Sequence, residues 1–225
     1  MGYSYYVTGT DTGVGKTWVS VALLHALRLA GKSAVGMKPV ASGCTREAEG
    51  WRNADALALQ DASMPGPGYA LVNPFALPAA TAPSIAAALA GVEVTLPPLL
   101  SAYRELAASA DAVVVEGVGG WLAPLGADLE QAQLAAALGL PVILVVGLKL
   151  GCLNHARLSE RAIVGDGLHL AGWIGNAIDP ALEYSSEYLT LLHEALQAPC
   201  LGCLPHAAER SAASFAAALR LPDSD

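Results

Sequence analysis

Positive charge is scarce in this sequence. Its 225 residues carry 12 Lys and Arg against 20 Asp and Glu, a formal net charge of −8. No run of basic residues occurs. Binding to nucleic acid or to an anionic membrane rests on clustered Lys and Arg, so no nucleic acid and no membrane partner is expected. Long apolar runs are missing too. The longest, Leu134 to Leu148, is fifteen residues and is broken by Gly139 and Pro141, short of the ~20 that a spanning helix needs. The N-terminus has no Lys or Arg before Lys16 and carries Asp11. It therefore lacks the charged start and apolar centre of a signal peptide, and a cytoplasmic protein is expected. Cysteine occurs only at 44, 152, 200 and 203, and a reducing cytosol asks for no disulfide among them. The pair in "CLGC" (200–203) could be half a zinc site, but no second C-x-x-C or close His pair supplies the remaining ligands.

Apolar residues, by contrast, make up 54% of the chain. That supports one α/β domain over residues 1–225 with one core. Six apolar runs, most of them with β-branched residues, read as strands: 3–8, 33–38, 111–116, 142–147, 170–176 and 199–204. Helical patterns at 16–30, 129–139, 153–164 and 185–196 lie between them. Strands apolar on both faces and separated by helices predict a mostly parallel sheet flanked by helices on both faces. Residues 41–98, rich in Pro, Gly and Ala, read as an extended crossover with short helical patches around 54–60 and 84–90.

The chain has four lysines, and Lys16, Lys38 and Lys149 fall at or just after predicted strand ends. Open parallel sheets bind ligands beyond those ends, so the placement predicts an anionic ligand there. Next to Lys16 stands "GTDTGVGKT" (9–17). The phosphate loop G-x-x-x-x-G-K-[ST] would put its first glycine at residue 10; here the glycine is Gly9 and residue 10 is Thr. The insertion lengthens the entry and leaves Gly13, Gly15, Lys16 and Thr17 in place. Gly13 and Gly15 can turn backbone N–H groups toward a phosphate, and the following helix adds its positive end. Lys16 can reach β- and γ-phosphates, and the Thr17 hydroxyl can join a magnesium ion. A dinucleotide loop G-x-G-x-x-G is excluded by Trp18, which stands where its third glycine belongs.

A magnesium nucleotide calls for a carboxylate at another strand end, and "DAVVVEGVGG" supplies Glu116. The glycines behind it, Gly117, Gly119 and Gly120, are expected to leave room for a substrate near the backbone. "MKPVASG" (37–43) puts Lys38 at the end of the second strand with Ser42 shortly after.

These pieces, together with "RNADALAL" (52–59), "VNPF" (72–75), "VVVEGVGGW" (113–121), "PVILVVGLKLGCLNHA" (141–156) and "LAGWIGN" (170–176), resemble the dethiobiotin synthetase family in order and over almost the whole chain. The shifted first glycine belongs to that resemblance. It implies a P-loop NTPase-like three-layer sandwich. It also implies a reaction in which 7,8-diaminopelargonate takes up CO2 (or bicarbonate) as a carbamate. ATP with Mg2+ then phosphorylates the carbamate, and the second amine closes a ureido ring.

On the same resemblance, Thr17, Asp55 and Glu116 would hold magnesium. Lys16 with the backbone of Gly13, Val14, Gly15, Thr17 and Trp18, beside Gly117, Val118 and Gly119, would hold the triphosphate. Thr12, Lys38 and Ser42 would hold the carbamate. Asn176 and Ala177, with Pro205, His206 and Ala207, would line the adenine pocket. Gly151, Cys152, Leu153 and Asn154, at a helix start, and Tyr188 would bind the diamine's carboxylate chain across a homodimer interface with shared sites. Lys149, just before that helix start, is a further candidate for the anion.

Two other classes share the loop style. Partition and division-site ATPases carry a second lysine five residues before the G-K-T lysine, where this chain has the opposite charge, Asp11. Amide-forming ligases of the cobyrinate type need a glutaminase domain for which 225 residues leave no room.

Overall fold

The computed structural model describes residues 3–206 and 212–222. Six parallel strands form its centre: β1 (Tyr5–Gly9), β2 (Ala34–Met37), β3 (Ala112–Gly120), β4 (Val142–Gly147), β5 (Leu170–Asn176) and β6 (Cys200–Leu204), in the order β6-β5-β4-β1-β3-β2. The helices α1 (Lys16–Leu29), α2 (Ala54–Ala62), α3 (Leu96–Ser109), α4 (Gln131–Leu138), α5 (Cys152–Gly165) and α6 (Ser185–Ala195) connect them, with further helices at Tyr69–Val72, Pro83–Ala90 and Ala212–Ala216.

Alternate strand residues feed two separate cores. Tyr6, Met37, Val113, Val115, Leu144 and Val146 pack on one face; Tyr5, Val7, Val114, Ile143 and Val145 pack on the other. All are buried, which is why these strands read as unbroken apolar runs. The doubly covered parallel sheet expected from the sequence is the one observed.

Two expectations change. Strand β3 continues past Glu116 to Gly120, so Glu116 lies inside a strand, paired with Val7 of β1. Its Gly-rich second half carries no apolar signal. The register slips between Val7 and Gly9, and this irregularity sits where the loop after β1 begins. The second difference is α3, which no periodic stretch above marks. Pro97 and Pro98 at its start read as loop, but Pro is tolerated in a first helical turn. Leu99, Ala102 and Leu106 supply its buried stripe.

The crossover between β2 and β3 is ordered by local pairing. Val40–Ala41 pairs with Phe75–Ala76 in parallel, and Thr45–Glu47 forms an antiparallel hairpin with Gly50–Arg52. Helix α2 lies close to β2 because residue 36 is Gly: a Cβ there would stand 2.8 Å from the Leu59 Cβ. Asp55, one turn before Leu59, is thereby held near the end of β2.

Candidate functional site

The chain leaves β1 at Gly9 and enters α1 at Lys16. Gly15 caps that helix at φ 85°, a left-handed conformation that side chains disfavour. It is also crowded: an added Cβ would lie 2.1 Å from Asn176 Nδ2. Asn176 in turn donates that amide to the Val14 carbonyl (2.8 Å), so β5 braces the loop. Val14 is fully buried, which leaves only its backbone for any ligand.

Lys16 folds back over the loop and donates to the carbonyls of Asp11 (3.1 Å) and Gly119 (2.9 Å). Burial, and secondarily the nearby Lys38, lower its pKa to about 8. The side chain is charged but poorly solvated, which primes it for an incoming polyanion. Thr17 Oγ1 donates to Glu116 Oε1 at 3.0 Å across a separation of 99 residues.

Glu116 is fully buried. Lys38 Nζ donates to its Oε1 (2.5 Å) and to the Gly117 carbonyl (3.1 Å), and lies 3.3 Å from Asp55 Oδ2. The pairing follows from register: Met37 lies opposite Val115, so the next residues on the two strands are Lys38 and Glu116. Burial alone would lower the Lys38 pKa, but Glu116 and then Asp55 outweigh it and raise it. The ammonium stays protonated.

Glu116 Oε2 has no hydrogen-bond partner. A buried, unsatisfied carboxylate oxygen costs more than the ~1–3 kcal/mol of a neutral polar group, and a cation at that atom would remove the penalty. Two carboxylates and one hydroxyl are what magnesium takes from a protein when phosphates and water complete its shell. Among the described residues no group of three or more His, Cys, Asp or Glu gathers as an all-protein metal cage, and magnesium does not need one. Thr17, Asp55 and Glu116 therefore fit the ion that the sequence reading assigns to them.

Two clefts share Gly13, Gly15 and Trp18. The first, of about 390 Å³, is lined also by Thr12, Lys16, Thr17, Lys38, Asp55, Glu116, Val118 and Gly119. The second, of about 510 Å³, is lined also by Asn176, Ala177, Pro205 and His206. The cleft expected from the sequence to take the phosphates and the one expected to take the base thus adjoin at the loop. Ala54 and Ala58 of α2 line the first cleft, and Ile178, Leu204 and Phe215 the second; sequence reasoning missed all five. The motif "RNADALAL" contains Ala54 and Ala58, and the ends of the expected strands 170–176 and 199–204 point to Ile178 and Leu204; nothing in the sequence marked Phe215. Ala207 lies outside the described residues.

The expectation for the glycines after Glu116 needs correcting. A Cβ on Gly117 would stand 2.3 Å from Gln131 Oε1 and 3.0 Å from the Tyr6 hydroxyl, and one on Gly120 would face the Gly9 and Thr10 carbonyls. At Gly117 that space belongs to the protein's own packing, whereas at Gly120 the carbonyls stand at ordinary contact distance, 3.6 and 3.8 Å; of the three only Gly119 lines the first cleft. Gln131, unmarked in the sequence, is fully buried. It accepts from Val118 N (2.6 Å) and donates to Thr8 Oγ1 (2.9 Å) and the Gly120 carbonyl (2.9 Å). It ties α4 to the irregular end of β3.

Ser42 is half-buried and lies outside the lining of the first cleft, though its carbonyl accepts from Asn53 Nδ2 (3.3 Å). Lys149, considered for a substrate anion, pairs instead with Asp11 (2.9 Å). That hydrogen bond and the Thr12 amide (2.7 Å) lower the Asp11 pKa. At the start of α5, Gly151 and Asn154 are exposed and Cys152 is buried. The first i→i−4 bond there runs from His155 N to the Gly151 carbonyl, so the Leu153 and Asn154 amides precede it at the open helix end. Tyr188 is half-buried on α6, which packs against α5. None of Gly151–Asn154 or Tyr188 lines either cleft of this chain.

A family model described as an AAA domain matches residues 3–214. The chain is 58% identical over 219 residues to the ATP-dependent dethiobiotin synthetase BioD of Xanthomonas oryzae pv. oryzae, covering 97% of this chain and 98% of that one. It is 63% identical over 203 residues to the protein of the same name from Xylella fastidiosa, covering 90% of each. Among solved structures, it resembles the MinC:MinD cell division protein complex of Aquifex aeolicus with a TM-score of 0.54 at 16% identity, covering 91% of this chain and 82% of that one. It also resembles a ParA family ATPase from Chlorobium tepidum TLS, with a TM-score of 0.53 at 14% identity, covering 92% and 86%. At those identities the two structures share a fold with this chain and nothing further follows from them.

Proposed function

The chain belongs to the ATP-dependent dethiobiotin synthetase family, and on that premise we propose that it joins 7,8-diaminopelargonate and CO2 into dethiobiotin in the cytoplasm. One domain does this at the expense of ATP, working as a homodimer with shared sites. The observation that carries the reading is the gathering of Lys16, Thr17, Lys38, Asp55 and Glu116 around one cleft at the mouth of the phosphate loop.

One amine of the diamine adds to CO2 and loses a proton, giving a carbamate anion. A carbamate oxygen then attacks the γ-phosphorus and ADP leaves. The second amine attacks the carbonyl carbon of the mixed anhydride, phosphate departs and the ureido ring closes. The obstacle is the second step, which sets like charges about 3.5 Å apart, a repulsion of about 5 kcal/mol per unit pair at an effective dielectric of about 20. Lys16 and Lys38 stand on the cleft wall to offset it, and catalysis of phosphoryl transfer is largely such charge placement. Magnesium held by Thr17, Asp55 and Glu116 would supply further charge neutralisation at the phosphates. Thr12, which lines the same cleft, joins the two lysines at the carbamate end, and Ser42 would reach the carbamate from just outside that lining. At the other end, Asn176 spends its amide on Val14. Its carbonyl oxygen remains as an acceptor for the amino group of adenine.

Two measurements test this. Phosphate release from MgATP should require both the diamine and bicarbonate, and mass spectrometry should find dethiobiotin in equal amount; release without the diamine, or no dethiobiotin, would sink the reading. In the same assay Glu116→Gln and Asp55→Asn should each raise the magnesium concentration for half-maximal rate by about tenfold or more, because each removes a charged oxygen from a hard-cation site. Titrations that match the parent protein would remove those carboxylates from the metal shell.

A further inference from the structure

Three groups assigned to the reacting end of the site, Lys38, Ser42 and Asp55, come from different segments of the β2–β3 crossover, and one phenol joins the segments. Tyr69 Oη accepts from the Asn53 amide (2.8 Å) and donates to Asn73 Oδ1 (3.1 Å). Asn73, itself buried, donates from Nδ2 to the Lys38 carbonyl (2.7 Å) and to the Phe75 carbonyl (3.3 Å). The Lys38 amide donates to the Val72 carbonyl (2.7 Å), so the turn at 69–73 grips the Lys38 backbone on both sides. On the other branch, Asn53 caps α2: its Oδ1 accepts from the amides of Asp55 (3.0 Å) and Ala56 (3.2 Å), while its Nδ2 donates to the Ser42 carbonyl (3.3 Å). The Arg52 guanidinium lies 4.3 Å from the centre of the Tyr69 ring and helps hold it.

We infer that Tyr69 is a positioning residue that sets the separation of Lys38, Ser42 and Asp55 through the Asn53–Tyr69–Asn73 chain. The inference rests on the function proposed above. Only the hydroxyl serves both branches. A phenylalanine would keep the ring and its contact with Arg52 but leave a buried amide and a buried carbonyl oxygen without their partners. Reacting groups displaced by a fraction of an ångström lose rate steeply, whereas the phosphate loop, built from β1 and α1, is not touched by the chain.

Tyr69→Phe is therefore expected to lower kcat for dethiobiotin formation about tenfold and to raise the half-saturating magnesium about threefold through Asp55. ADP affinity measured without magnesium should stay within about twofold, while the Tm falls by roughly 5 °C as the two orphaned groups cost stability. Asn73→Ala interrupts the same chain nearer Lys38, so the double variant should fall within about twofold of the worse single one. A Tyr69→Phe kcat within twofold of the parent, a loss of ADP affinity matching the loss of rate, or multiplying losses in the double variant would each overturn the positioning role. The parent protein assayed alongside separates the two readings. If it forms no dethiobiotin the proposed function falls, and this inference with it; if it turns over and the variant does too, only the inference falls.

Discussion

Lys38→Ala is expected to abolish dethiobiotin formation, by a factor of about 10³ or more, while magnesium-nucleotide affinity stays within about tenfold. The ammonium sits between Glu116 and Asp55 on the cleft wall, facing the place where carbamate and γ-phosphate would meet. The resting triphosphate is held chiefly by the loop backbone and Lys16, so Lys16→Ala should weaken both binding and turnover. Removal of Lys38 also leaves Glu116, already short of one partner, as a buried carboxylate without its cation. Breaking a buried pair in this way costs about 3–5 kcal/mol, so the variant should melt lower than the parent in the absence of magnesium. Near-normal turnover by Lys38→Ala would show that the phosphoryl transfer is stabilised elsewhere. Equal loss of nucleotide affinity and rate would make Lys38 a ground-state binding residue.

Mixing two inactive variants should restore activity. The start of α5 presents exposed Leu150, Gly151 and Asn154, and Leu122 and Leu158 are further exposed apolar side chains. A helix start is a natural seat for a carboxylate, but this one does not line the clefts of its own chain. A two-fold partner would bring it to the diamine site. Asn154→Pro removes one amide from that helix start, and a first turn tolerates proline. Chains carrying it should be inactive alone, as should Lys38→Ala chains. After subunit exchange in a one-to-one mixture, half of the dimers are mixed and each has one site with both good halves. Activity should then return to roughly a quarter of the parent level. The companion variant Tyr188→Phe should raise the diamine KM far more than the ATP KM. A monomer by analytical ultracentrifugation at micromolar concentration, or no recovery after verified exchange, would refute the shared site.

The chemistry at the heart of the site was legible because it is local. The spacing of Gly13, Gly15, Lys16 and Thr17 suits the turn of one strand into one helix, and Lys38 and Glu116 each follow an apolar run that a doubly covered parallel strand must show. The order of the six strands, and of helices α1 to α6 other than α3, was readable for the same reason. What escaped depends on which segments meet. That β3 runs on to Gly120 is decided by pairing with β1, since a Gly-rich stretch carries no pattern of its own. That the space at Gly117 is filled is decided by Gln131, which arrives from α4. Lys149 looked free for a ligand until the fold put Asp11 within 2.9 Å. Ile178, Leu204 and Phe215 are ordinary apolar residues in the sequence and become a pocket wall only when β5, β6 and the helix Ala212–Ala216 converge. Tyr69 and Asn73 stood next to or inside a motif of family resemblance with no role to give them, because their partners lie up to 35 residues away. Loop turns and burial periodicity are properties of neighbours along the chain and can be read from it. Hydrogen-bond partners and cavity walls are set by strand register and by the path of the crossover, and those are decided only when the whole core packs.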